Sequence, residues 1–123
     1  MNDRHLPRQA LIDSYGDGGF RFAGLSHRGS LLSLPDGIWA WRIDTASALT
    51  DEALAPVFER AGTLDFFILG TGSGPWAAPE AWRARFRSAQ ISFDAMTTSA
   101  AVRTYNVMLM ESRRVGAGLI AVD

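Results

Sequence analysis

The segment of this sequence best placed to hold an anion is the loop Gly70-Thr71-Gly72-Ser73-Gly74-Pro75. It follows Leu64 to Leu69, a nearly continuous hydrophobic run of the kind a central strand shows. A glycine turn at the carboxyl end of such a strand can present backbone N–H groups to a phosphate or carboxylate. Asp94 lies further on, at about the spacing of a ribose-binding acid in dinucleotide folds. The dinucleotide fingerprint, however, needs Gly-x-Gly-x-x-Gly running straight into a helix. Here the glycines alternate, and Pro75-Trp76-Ala77-Ala78-Pro79 delays the helix. A structural reading stays open, in which the glycines let a tight crossover pass beneath other elements. The chain has no lysine, which excludes a P-loop, and Thr71 stands where a Gly-x-Ser-x-Gly elbow needs glycine.

The second segment with chemical content runs from Asp94 to Asn106. Thr97, Thr98 and Ser99 place three hydroxyls at a helix start, where they cap. Ser99, Arg103 and Asn106 follow at i, i+4 and i+7, on one helical face. A hydroxyl, a guanidinium and an amide together can bind a carboxylate or phosphate. The commoner reading is a solvated face with Arg103 paired to an acid. The two histidines, His5 in an expected tail and His27 in an expected loop, have no carboxylate spaced to orient them, so neither a triad nor a metal site is expected and both should be solvated. Trp39, Trp41 and Trp82 read as core, whereas Trp76, inside the glycine loop, is expected to be accessible.

The elements that must position these residues can be read from periodicity and turn chemistry. Ala10 to Asp13 is a strand candidate, Gly16-Asp17-Gly18-Gly19 a turn, and Phe20 to Ala23 a half-buried strand. Leu31–Leu34 and Ile38–Ile43 form a hairpin about Pro35-Asp36-Gly37, with the glycine free to take a positive φ. Thr50-Asp51-Glu52 opens a helix that Gly62 stops, and Pro56 requires either an irregular first turn or a start nearer Ala55. A helix runs from Pro79 to about Ser88, a strand over Gln90–Phe93 ends at Asp94, a helix covers Thr97–Ser112, and Gly118–Val122 is the last strand. This alternation predicts an α/β fold: a three-layer single domain over residues 1–123, with a mixed, partly parallel central sheet, helices packed on it and an additional N-terminal β-hairpin layer. Residues 1–8 are expected to be a flexible tail.

Composition bounds the partners. The net charge is −1, so no nucleic-acid footprint is present. There is no cysteine, which excludes disulfides, thiolate metal sites and a cysteine nucleophile. No apolar run approaches the roughly 20 residues that span a bilayer, so direct membrane insertion is not expected.

Together, Phe66-Phe67-Ile68-Leu69-Gly70-Thr71-Gly72 and Asp94-Ala95-Met96-Thr97-Thr98, continued by Ala100-Ala101-Val102-Arg103-Thr104-Tyr105-Asn106, resemble a small family across essentially the whole chain. It comprises single-domain bacterial and archaeal proteins of unassigned function together with the mitochondrial NADH:ubiquinone oxidoreductase (complex I) assembly factor three. The resemblance implies a three-layer α/β domain and, from the mitochondrial relative, a non-catalytic role that binds other proteins. It marks Gly70, Thr71, Gly72, Met96, Thr98, Arg103, Thr104 and Asn106 as family positions. The expected function is therefore a non-catalytic binding or assembly factor with unidentified protein partners, no cofactor and no metal, cytoplasmic in a bacterium. Its expected surface is Gly70, Thr71, Gly72, Ser73, Trp76, Asp94, Met96, Thr98, Arg103, Thr104 and Asn106. The alternative is a binder of a mononucleotide or other small anion, or a weak enzyme, with Arg103 and the Gly70–Gly74 amides lining one cleft.

Overall fold

A computed structural model describes residues 4–123. The chain begins with β1 (Arg4–Leu6), then β2 (Ser14–Gly16), β3 (Gly19–Phe22) and β4 (Leu25–Arg28), then β5 (Ser30–Leu34) and β6 (Gly37–Trp41). Helix α1 (Asp51–Glu59) precedes β7 (Phe66–Gly70), α2 (Glu80–Ser88), β8 (Ser92–Met96), α3 (Thr98–Met110) and β9 (Val115–Leu119). Six strands form a mixed sheet in the order β1-β6-β5-β9-β7-β8, and β2-β3-β4 form a separate antiparallel sheet.

The topology follows from where the crossovers go. β7 is paired in parallel with β8 on one side and β9 on the other. The crossover from β7 out to β8 and the one from β8 back past β7 to β9 run in opposite directions, so right-handed connections take them over opposite faces of the sheet. The buried residues divide accordingly. Leu54 and Val57 of α1 and Phe86 of α2 pack with Trp39, Trp41, Phe67 and Leu69 on one face. Ala101, Val102 and Tyr105 of α3, with Phe20 and Phe22 of the small sheet, pack with Leu31, Ile68 and Leu119 on the other.

Local chemistry sets most element ends. The Thr50 hydroxyl accepts the Ala53 amide at 3.1 Å, and acids occupy the first turn of α1. Pro56 lies inside that helix, which stays continuous. Tight turns at Asp17-Gly18 and Ala23-Gly24 have positive φ at both residues, the geometry that matches the twist of a hairpin.

Several expectations shift. Residues 4–6, expected in a flexible tail, pair antiparallel with β6, while residues 1–3 lie outside the described residues. Ala10–Asp13 is not a strand. Gly37 has no positive φ; it is needed because a Cβ there would stand 2.6 Å from the Leu6 carbonyl oxygen. β9 begins at Val115 rather than Gly118, because its glycines admit close neighbours: a Cβ on Gly118 would lie 2.5 Å from the Trp41 ring.

Candidate functional site

The carboxyl ends of β7 and β8 are where an open α/β sheet binds ligands, since their connections leave to opposite faces. In this protein Thr98, a wholly buried side chain, fills that crevice. Its hydroxyl accepts the Gly72 amide at 2.9 Å and donates to the Ile120 carbonyl at 2.7 Å. The Thr71 amide donates to Met96 O at 2.8 Å, and the Thr98 amide donates to Gly72 O at 2.9 Å. Ile120 N in turn donates to Gly70 O at 3.0 Å. Gly70 is required by proximity: a Cβ there would lie 3.1 Å from Thr98 Cα and 3.2 Å from Ala101 Cβ. The loop is thus a junction where β7, α3 and the chain leaving β9 are locked together. The Thr71 and Gly72 amides are engaged by the protein itself.

Of the residues singled out in the sequence, Gly70, Thr71, Gly72, Met96 and Thr98 meet at this junction. Thr104 joins it through its hydroxyl, 3.5 Å from Met96 Sδ. Thr71 and Gly72 also line an open groove of about 480 Å³, together with Ser73, Trp76, Asp44 and Asp123. Trp76 is half-buried and packs against Trp82 at 6.3 Å between ring centroids. The groove has two aspartates and no arginine along it, so its field opposes an anion. Arg103 is not part of it.

Arg103 and Asn106 lie on α3, across the sheet from the groove. Arg103 Nη1 reaches Ser99 Oγ at 3.5 Å, and the expected pairing with an acid does not form among the described residues. Ser99 also receives the Tyr15 hydroxyl at 2.8 Å. Asn106 accepts the Ile12 amide and donates to the Ile12 carbonyl, both at 2.9 Å. Its amide side chain therefore substitutes for a strand partner, which explains why Ala10–Asp13 stays irregular. Asp94 does not end its strand: it lies mid-way along β8, opposite Ile68 and exposed. α2 closes at Ala89, Gln90 takes a left-handed φ of 60°, and the strand starts two residues later than expected.

Sequence reasoning missed a buried polar chain behind α3. Gln9 Nε2 donates to Ser33 Oγ at 3.1 Å and to Val115 O at 2.7 Å. Ser33 Oγ meets the Tyr105 hydroxyl at 2.7 Å, and Tyr105 donates to Ala10 O at 2.8 Å. Burial pushes the Tyr105 phenol up to about 12, against the opposing pull of its Ser33 and Ala10 hydrogen bonds. A serine flanked by leucines in a buried strand was the available signal, because a buried hydroxyl requires a partner. The histidines also differ from expectation. His5 on β1 and His27 on β4 are bonded, Nε2 to Nδ1 at 3.1 Å, and so join the two sheets. Among the described residues no group of three or more His, Asp or Glu is arranged to hold a metal ion.

A family model described as a protein of unknown function (DUF498/DUF598) matches residues 12–120. The chain belongs to the DUF498/DUF598 family. The matched span includes the junction, α3 and both hairpins. An uncharacterized protein of Rhodobacter capsulatus is 36% identical over 109 residues, covering 89% of this chain and 82% of that one. A Bartonella henselae protein described as an outer membrane protein shares the structure with a TM-score of 0.90 at 44% identity, covering 97% of this chain and 100% of that one. Rpa2829 of Rhodopseudomonas palustris gives a TM-score of 0.86 at 47% identity, covering 99% and 90%. Among the described residues no helix is long and apolar enough to cross a membrane.

Proposed function

We propose that this DUF498/DUF598 protein is a non-catalytic binding or assembly factor that engages a protein partner through the outward face of α3 and the segment strapped across it. The observation that carries this reading is the distribution of exposed apolar side chains. Met110 is 64% exposed and Val107 49%, one turn apart on α3, with Tyr15 at 40% and Leu11 at 38%. The Ile12–Asn106 and Tyr15–Ser99 bonds hold those last two beside α3. Arg103 is exposed one turn before Val107, so an apolar strip with an acid at one end is the complementary surface. Exposed apolar clusters rimmed by polar groups mark protein contacts more often than chance placement does.

The sequence resemblance to the complex I assembly factor supports this reading, and it suggests respiratory-complex subunits as the partners to look for. We place the protein in the bacterial cytoplasm. Cell fractionation checks that placement, and recovery in the outer membrane fraction would refute it. For the function itself, immobilised native protein exposed to membrane and cytosolic extracts should retain a stable partner. The double substitution Val107→Asp, Met110→Asp should release it without loss of folding. Retention of nothing by the wild type, or equal retention by the variant, refutes the proposal.

A further inference from the structure

The outer face of the three-stranded sheet carries two arginines above a floor with no side chains. Register sets Ser14 opposite Arg21 and Arg21 opposite Ser26; two residues along it sets Gly16 opposite Gly19 and Gly19 opposite Arg28. Side chains alternate along strands, so these six positions share one face, while Phe20 and Phe22 contribute to the core beneath. Diagonal neighbours on adjacent strands lie roughly 7–8 Å apart, which lets Arg21 and Arg28 reach one point from β3 and β4. A Cβ on Gly16 would meet nothing within 4 Å, whereas Gly19 is buried against the His27 carbonyl of β4; the concavity along this face measures about 480 Å³.

The charges are unbalanced there. The Arg21 guanidinium meets no acceptor among the described residues. Arg28 has one long hydrogen bond, Nη1 to Asp17 O at 3.3 Å. Asp17, on the rim, is the one acid along the concavity. Like charges on neighbouring strands repel, and an anion held between them would turn that repulsion into attraction. A tetrahedral oxyanion suits the vacancy, because each guanidinium offers a fork of parallel N–H groups and the flanking hydroxyls can donate to the oxygens left over.

We propose that this face binds a phosphate group, free or as a small phosphate monoester, chelated between Arg21 and Arg28 with Ser14 and Ser26 completing its hydrogen bonds. The site borders the α3 surface at Tyr15 and shares no lining residue with the glycine-loop groove. It is tested by titrating isotope-labelled full-length protein with sodium phosphate, against sodium chloride at matched ionic strength, and following backbone amides by NMR. Saturating shifts confined to residues 14–28 are expected, with a Kd on the order of 1 mM. Arg21→Gln and Arg28→Gln should each weaken binding about tenfold, and Asp17→Asn should strengthen it. Both arginines are exposed, and retained spectral dispersion verifies that the variants fold. Arg83→Gln, on α2 across the central sheet, should bind like wild type. Phosphoserine binding more tightly than phosphate at the same amides identifies a monoester as the preferred source; weaker binding identifies the free ion. Equal shifts with chloride, or an Arg21→Gln affinity no lower than that of Arg83→Gln, overturns the proposal.

Discussion

Thr98 Oγ1 accepts the Gly72 amide at 2.9 Å while donating to the Ile120 carbonyl at 2.7 Å, so one buried hydroxyl joins the loop after β7, the first turn of α3 and the chain leaving β9. A hydroxyl can donate once and accept twice, and this one donates to one backbone group and accepts from another. The crevice that other α/β sheets leave for a ligand is closed here by a side chain of the protein's own helix. Thr98→Val keeps the shape and removes the hydroxyl, stranding a buried donor and a buried acceptor. It should lower unfolding stability by about 2–4 kcal/mol, whereas Thr98→Ser, which loses only a methyl group, should cost about 1 kcal/mol. Urea denaturation of the three proteins measures the difference, and equal losses would show that the hydroxyl network contributes nothing.

The glycines of the same loop are not equivalent. A Cβ on Gly70 would be 3.1 Å from both Thr98 Cα and Thr98 Oγ1, whereas one on Gly74 would meet nothing within 4 Å. Gly70→Ala should therefore force α3 away from the sheet at a cost of about 1–3 kcal/mol. Gly74→Ala should stay within about 0.5 kcal/mol of wild type. Thermal unfolding of the pair separates a packing role for the loop from a general need for flexibility, which would make both substitutions harmful.

Asn106 holds the N-terminal segment by bonding both backbone groups of Ile12. Asn106→Ala leaves those groups without a partner on a residue that is only 4% exposed. A loss of about 1–3 kcal/mol is expected, together with faster exchange of the Ile12 amide and faster tryptic cleavage after Arg8. Unchanged exchange at Ile12 would mean that the segment is held by its apolar contacts alone.

Much of this architecture was legible because it rests on local chemistry. Thr50 and Thr97 announce their helices, Pro79 sits at the start of α2, and Pro35-Asp36-Gly37 marks the hairpin. The run from Phe66 to Leu69 reads as a central strand because both its faces are covered. What was not legible depends on partners distant along the chain. Asn106 is 94 residues from Ile12, and nothing in either neighbourhood says that they meet. β4 escaped notice because Leu25-Ser26-His27-Arg28 is mostly exposed and has no apolar alternation. The glycine loop was correctly placed at a strand end, but the use of its amides was hidden. Which of three consecutive hydroxyls caps the helix and which turns inward is decided by the Ile120 carbonyl, on the far side of β7.

The buried Tyr105 phenol gives the fold an alkaline limit. Its ionisation is pushed up to about 12 in the folded protein, from 10.0 for an unperturbed tyrosine. Below pH 10 the phenol is neutral in both folded and unfolded chains and its bonds to Ser33 and Ala10 are intact. Above that pH the unfolded chain ionises first and gains free energy that the folded chain cannot match. Stability should therefore fall as pH rises through the window between the two values. The full separation corresponds to roughly 3 kcal/mol. Tyr105→Phe should begin less stable by about 1 kcal/mol, through loss of the hydroxyl's bonds, and should lack this alkaline component. Guanidinium unfolding at pH 8, 10 and 11 compares the two slopes. Parallel slopes would show that Tyr105 is not the group responsible.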